Sequence, residues 1–520
     1  MRHCALKKSL ITNSLVVVAG GVMARDRVGF MSQAFLIFAL FVFASASGCG
    51  EAHSYPADLR YSVRTDLLMV GMPKSIPTKF NNPGRLPLDV IAALPMRFDA
   101  SKKARVIDFA KVDQLIKEGV LKLDDNDKAL LEESKNNNIN DPRNLTASEH
   151  NKIDEVLTKL FGTPAEPRVL EKTDKEPMGF AKEFVERLKL DPETLREGSK
   201  LYRHNCLHCH GLEGNGRGPT GYWVNPHPRD YRQGVFKFTS STQDLGERKP
   251  RREDLMHILV HGIEGSSMPS FNNYPREDLD KIISYVLHLS IRGEIEFYVI
   301  GQWLTGSDKL VALPNAEEIE ALRKSMQAEN TPADEIKKTI DEIKALKAPT
   351  PDEEKAAFAS MDSKFSEAIE VFPQRWLAAQ ESGITPDAYP YPDSEEALLA
   401  SAARGAALFL QPGDASCVSC HKNFGREAPY SFDAWGTIVR PRDLVSGYYR
   451  GGRRPVDMYF RVWSGINGAG MASYDKLLRP SDDDKAKKVD KIWDLVNFMQ
   501  AIHYPDLRTK LKEKHGVVIE

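Results

Sequence analysis

Apolar residues recur three and four apart over several stretches of this chain, separated by polar loops with glycine and proline, and that period predicts helices. Residues 276–290 place Leu279, Ile282, Ile283, Val286 and Leu289 on one face; residues 485–502 do the same with Val489, Ile492, Val496, Met499 and Ile502. Asp482, Asp483 and Asp484 stand where the second helix should begin, at the positive end of its dipole. Both stripes read as core. Charged amphipathic helices are predicted over 317–327 and 333–346, with Ile336, Ile340 and Ile343 on one face, and the pattern resumes over 358–376. Shorter helical stretches occur at 112–121 and 153–160. No strongly alternating strand run stands out, so the expected fold class is mainly α.

One apolar run does not fit that pattern. Residues 34–44 are continuously apolar, follow Arg25 and Arg27, and precede small residues. The run is too short to span a bilayer and has signal-peptide proportions. Met23 opens a conventional signal and is read as the true start, which leaves Cys4 untranslated. The string Ala46-Ser47-Gly48-Cys49 resembles a bacterial lipoprotein cleavage box, with Ala46 where leucine is usual. Cys49 is therefore the candidate lipidation site, and ordinary signal cleavage nearby is the alternative. The protein is expected outside the cytoplasm, on the periplasmic side of the cell membrane, with a lipid anchor at the membrane surface. One lipid binds only marginally, so a second attachment would be needed for stable anchoring.

A chain of 520 residues with 41% hydrophobic residues has material for several domains. A formal net charge of −2 gives no reason to expect a nucleic-acid partner. Four of the six cysteines lie in two copies of one motif, Cys206-Leu207-His208-Cys209-His210 and Cys417-Val418-Ser419-Cys420-His421. That spacing lets two thiols add to the vinyl groups of one haem while the adjacent imidazole ligates its iron. Cys-x-x-Cys alone also serves zinc and dithiol sites. Here the histidine is adjacent, no second ligand pair of that type follows, and helical rather than βαβ patterns surround both copies. Two covalently bound haem c groups are expected, on Cys206, Cys209, Cys417 and Cys420, with His210 and His421 as axial ligands.

The surroundings of the two motifs repeat. A helix from residue 191 carries Gly198 and Tyr202 ahead of Cys206; another, opened by Ser394 as N-cap, carries Gly405 and Phe409 ahead of Cys417. Glycine and aromatic share a face in each, and the glycine permits close approach of a second helix. Pro228-Arg229-Asp230 follows the first motif and Pro441-Arg442-Asp443 the second. Further on, Asp254 leads to Gly262, Gly265 and Met268, and Asp457 leads to Gly465, Gly468 and Met471, in equal steps. The methionines end this series in glycine-rich loops, where a thioether can serve as the sixth ligand. Such His/Met ligation raises the reduction potential. His227, His257 and His261 are rival ligands in the first unit, although the last two read as a packed or solvated helix face. Met458 aligns with Leu255 and reads as core.

Each unit resembles a class I cytochrome c domain: a Gly-x-x-x-aromatic helix, Cys-x-x-Cys-His, a proline loop, a methionine loop and a terminal helix. The resemblance covers about residues 190–293 and 394–505. It implies that a loop-proline carbonyl, from Pro226 or Pro228 and from Pro441, accepts a hydrogen bond from each proximal histidine. Arg229 and Arg442 are candidate contacts for haem propionates. Arg450, Arg453 and Arg454 are a candidate docking face.

The organisation expected is a signal region at 1–49, an N-terminal region of uncertain fold at 50–172, cytochrome c domains at 173–293 and 394–510, and a helical insert at 294–393 that spaces them or docks on a membrane complex. Asp124-Asp125-Asn126-Asp127 lacks the glycine and glutamate of a calcium loop and reads as a solvated turn. The function expected from the resemblance is single-electron transfer in a respiratory chain, between a quinol-oxidising complex and a terminal oxidase or as a subunit of one. No catalytic residue is assigned. The rival readings are a dihaem peroxidase, the cytochrome subunit of a periplasmic dehydrogenase, and a scaffold subunit.

Overall fold

The computed structural model describes residues 55–69, 75–76, 87–135, 139–242, 248–412, 416–478 and 490–519. The expected signal region with Met23 and Cys49, and the run Asp482, Asp483, Asp484, lie outside them. Among the described residues the fold is mainly helical, with a few short strands. No described helix is long and apolar enough to cross a membrane. In chain order, a hairpin of β1 (Met96–Asp99) and β2 (Ala104–Ile107) precedes α1 (Ala147–Phe161), α2 (Pro192–Asn205) and α3 (Arg252–His261). Then come α4 (Arg276–Thr305), α5 (Ala316–Ala328), α6 (Ala333–Ala345) and α7 (Pro351–Glu381). The second repeat is built on α8 (Glu395–Leu410), α9 (Pro455–Ser464) and α10 (Lys491–Ala501).

Each repeat is organised around one close helix crossing. The Asp191 carboxylate caps α2 at Thr194 N, and Pro192 occupies the first turn. Ser394 caps α8 at Ala397 N in the same way. Gly198 lets α2 lie against α4: a Cβ there would stand 2.2 Å from Lys281 O. Gly405 does the same for α8 on α10, where a Cβ would stand 2.1 Å from Asp494 O. Beside each glycine an aromatic pair fills the crossing, Tyr202 on Tyr285 at 5.2 Å and Phe409 on Phe498 at 5.5 Å between ring centroids.

The boundary expected at residue 293 falls inside α4, which continues for 30 residues to Thr305. Its far half buries Val299, Ile300 and Trp303 in one core with Leu157 and Phe161 of α1 and with Phe365, Phe372 and Trp376 of α7. The polar residues Arg292, Glu294 and Glu296 suggest an end to the helix, because charges are rarely buried without partners. Here each has one. Arg292 pairs with Glu296 at 3.2 Å, both buried, and Glu296 also accepts from Arg64 N. Glu294 accepts from Lys249 Nζ and, at 2.8 Å, from Trp376 Nε1. The insert is therefore no spacer along α7, which completes the core of the first repeat.

Nor do the described residues of 50–172 form a separate region. Tyr61, Val63 and the buried face of α1 join the first core, whereas Leu88, Ile91 and Leu130 pack with Phe432 of the second repeat. The β1–β2 hairpin puts Phe98 against Leu322, Ile336, Ile340 and Ile343 of the hairpin formed by α5 and α6. Asp124 and Asp127 are not a solvated turn: each carboxylate accepts the other residue's backbone N–H, capping a helix over Asp125–Lys135, and Asp127 is buried. A reciprocal cap also opens α1, where Thr146 Oγ1 accepts from Glu149 N and Glu149 accepts from Thr146 N. Thr146→Ala removes one arm of it and is expected to cost about 1 kcal/mol, read as a lower urea midpoint.

Candidate functional site

Both Cys-x-x-Cys-His motifs form a single helical turn, in which the histidine N–H donates to the carbonyl of the first cysteine: His210 to Cys206 and His421 to Cys417, each 2.8 Å. All four thiols are free. Burial pushes the Cys206 thiol up to about 12, so in the polypeptide alone it is protonated at neutral pH. Burial pulls His210 down to about 4 and lowers His421 in the same direction, which leaves both imidazoles neutral. A neutral imidazole is the ligating form.

The tautomer follows from one contact in each repeat. His210 Nδ1 lies 3.1 Å from Arg229 O, and His421 Nδ1 lies 3.2 Å from Arg442 O. A carbonyl only accepts, so Nδ1 carries the proton and the Nε2 lone pair is left for a metal. The expectation of a proline carbonyl is corrected by one residue in both repeats. In the first, the Pro228 carbonyl is turned towards Gly216, where a Cβ would meet it at 2.5 Å, and the next carbonyl faces the imidazole.

The equal steps of the two methionine series have a local cause. Asp254 and Asp457 each accept a backbone N–H at the start of α3 and α9, from Arg251 and Arg454. The helices end on Gly262 and Gly465, at φ 70° and 68°, a conformation that favours glycine. A tight turn through Gly265 and Gly468 follows, closed by Ile263 N donating to Met268 O at 3.1 Å and Ile466 N donating to Met471 O at 2.9 Å. Acid, two glycines and methionine are thus cap, stop, turn and loop end. Both methionines are half-buried. Tyr274 Oη donates to Asn205 Oδ1 at 2.7 Å, tying the first loop to the residue before Cys206, and Tyr474 stands beside Cys417 and Cys420. Each methionine loop is therefore packed onto the cysteine motif of its own repeat.

Met458 is buried core. The rings of His257 and His261 lie 4.4 Å apart, and Arg454 donates to His257 Nδ1 at 3.2 Å, so this face packs on the second repeat. His227 lines a cleft with Arg217, Arg229 and Trp435, and burial lowers it to about 4. Arg229 stacks on the Trp435 ring at 3.6 Å, and Arg442 Nε donates to Tyr448 O at 2.9 Å. Of the expected docking face, Arg453 and Arg454 are exposed, the latter held by Asp457 and His257, while Arg450 is half-buried. Sequence reasoning missed Lys237, Asp433 and Trp435, which stand where the repeats meet. Nothing in their local pattern marks them.

Two thiols and a neutral imidazole with a free Nε2 on one turn are the donor set that a covalent haem c requires, and the same set occurs in both repeats. Residues 193–286 match the family model "Cytochrome C oxidase, cbb3-type, subunit III". No curated protein matches the chain. A solved structure described as the Kuenenia stuttgartiensis reducing HAO-like protein complex Kustc0457/Kustc0458 is similar at 17% identity, over 59% of this chain and 96% of that one, with a TM-score of 0.35.

Proposed function

From a cytochrome c domain at residues 193–286, with its covalent haem c and its role in electron transfer, we propose that the whole chain is an exported dihaem electron relay. The second haem is carried by Cys417, Cys420 and His421, and Met268 and Met471 are the sixth ligands of the two irons. Its carrying observation is the repetition of the proximal contact: His210 to Arg229 O and His421 to Arg442 O, at 3.1 and 3.2 Å. A second repeat that kept only the ancestral fold would have no need of that tautomer.

The haems supply reversible one-electron iron chemistry. The protein's part is to hold each imidazole by its Nδ1–H, to keep it neutral by burial, and to present a thioether on a loop closed by Gly262 and Gly265 or by Gly465 and Gly468. Six-coordinate iron leaves no open position for a substrate, which favours relay over peroxidase chemistry. We place the protein on the periplasmic side of the membrane, anchored through Cys49, passing single electrons from a quinol-oxidising complex or dehydrogenase to a terminal oxidase, or working as a subunit of such an assembly.

The oxidised protein is expected to show the methionine-to-iron charge-transfer band near the red edge of the visible spectrum. Met268→Ala and Met471→Ala should each remove about half of its intensity and lower the potential of one haem. A wild-type protein with high-spin haem, no such band and turnover of peroxide would overturn the relay in favour of an enzyme.

A further inference from the structure

The interface between the two repeats carries more positive charge than its own side chains balance. Lys237 of the first repeat donates to Asp433 Oδ2 of the second at 3.0 Å, and Arg229 lies 3.7 Å from the same oxygen while stacking on Trp435. Asp433 is fully buried and already accepts from Trp435 N, Thr437 N and Thr437 Oγ1. Arg442 and Arg450 adjoin this group, and Gly451 packs on Phe238, next to Lys237. Burial and the neighbouring cations lower Lys237 to about 8 and Arg450 to about 10. Of the nearby acids, Asp230 pairs with Arg232 at 2.7 Å and acts on Arg229 only through space, and Asp443 accepts from Val445 N and Ser446 N. Asp433 thus serves both Lys237 and Arg229, and among the described residues no ion pair joins Arg442 or Arg450 to an acid. Two donors within the cluster, Trp435 Nε1 and Arg450 Nε, are buried with no hydrogen-bond partner, and Trp435 is only 7% exposed. Desolvated charge and orphaned donors at this density are costly unless anionic acceptors enter.

The cluster touches both candidate iron sites. The Arg229 carbonyl orients His210, while its guanidinium lies on Trp435 of the other repeat. The Arg442 carbonyl orients His421, while its guanidinium lies against Gly265 in the Met268 loop, where a Cβ would meet it at 3.1 Å. The Trp435 ring in turn abuts Gly468 in the Met471 loop. The crossing is reciprocal.

We propose that Arg229, Lys237, Arg442 and Arg450, with Trp435 Nε1 as a fifth donor, form one carboxylate site between the repeats that takes propionates from both haems and couples their potentials. The inference rests on the dihaem reading above. Each haem brings two carboxylates, which guanidinium binds well in pairs, and the interface between the repeats is completed by the cofactors it encloses. An acidic segment of a partner protein is the other source of carboxylates that such a site could take.

The test is made on the purified dihaem protein. The haem content per chain is measured first; one haem instead of two would reject the dihaem reading itself. Arg450→Gln is then titrated spectroelectrochemically. Loss of a cation beside the propionates favours ferric iron, so both haems should shift to lower potential, each by roughly tenfold in its oxidised-to-reduced ratio at a fixed potential. Arg450→Lys should restore both potentials, which a merely structural role for the guanidinium would not do. With two haems present, a shift of one haem alone, or of neither, overturns the shared site. Unshifted potentials with weakened binding of an acidic redox partner would assign the cluster to that partner instead.

Discussion

Replacing Cys417 and Cys420 together by alanine should halve the haem that remains attached to the denatured chain, and replacing Cys206 and Cys209 should do the same. The two motif turns are built independently. Each motif turn is closed by its own histidine-to-cysteine hydrogen bond and is backed by its own aromatic cluster, Tyr202 and Tyr285 in the first repeat, Phe409, Phe424 and Phe498 in the second. A thioether bond survives denaturation, whereas a metal held by free thiols or a haem held only through its iron does not. Haemochrome absorbance per chain and the intact mass of each double variant read the result directly. If the Cys417/Cys420 variant keeps the wild-type haem content, the second motif is not an attachment site, and both the dihaem reading and the shared propionate site fall.

Gly198→Val and Gly405→Val are expected to destabilise their repeats by more than the 1–3 kcal/mol of ordinary overpacking, about 3 kcal/mol at least. Helix propensity points the other way, since replacing an interior helix glycine by alanine gains about 1 kcal/mol where nothing obstructs the side chain. Distance decides between them. The first atom added at Gly198 would stand 2.2 Å from Lys281 O and 3.0 Å from Tyr285 Cβ, and at Gly405 2.1 Å from Asp494 O. These are mostly backbone atoms of a packed helix, so relief requires moving α4 or α10 as a whole. Gly301, within α4, is the internal control: a Cβ there meets nothing within 4 Å, and Gly301→Ala should raise the thermal midpoint slightly. Loss of haem incorporation alongside a lowered thermal midpoint in the two valine variants, with Gly301→Ala unharmed, would show that the crossing holds the motif turn in place. Wild-type midpoints in both valine variants would refute the argument from close approach.

Much of the site was legible in the sequence because its chemistry is local. Cys206, Cys209 and His210 sit within one turn, as do Cys417, Cys420 and His421. Asp254, Gly262, Gly265 and Met268 recur as Asp457, Gly465, Gly468 and Met471 because a cap, a helix stop and a turn depend on residues a few positions apart. The Gly198/Tyr202 and Gly405/Phe409 pairs announced a close helix approach for the same reason. The proximal carbonyl was misread by one residue, since the orientation of a loop peptide is set by what lies across from it, in this case Gly216 facing Pro228. The end of α4 was misplaced because the apolar stripe read over 276–290 is followed by Arg292, Glu294 and Glu296, whose buried partners Arg64, Lys249 and Trp376 lie far off along the chain.

What the sequence determined by itself is therefore everything written at helical or turn range: two motif turns, their caps, their methionine loops and their mainly helical surroundings. Only the tertiary structure decided which long-range partners those pieces have. It packed Tyr61, Val63, α1 and α7 into the core of the first repeat and Leu88, Ile91 and Leu130 against Phe432 of the second, crossed Arg229 and Arg442 into each other's repeat, and brought Arg229, Lys237, Arg442 and Arg450 together where the repeats meet. Hydrogen-bonded turns and helix periods repeat within a few residues and leave a pattern along the chain. Burial of charge and the meeting of distant side chains depend on packing between segments hundreds of residues apart, and no spacing in the sequence encodes them.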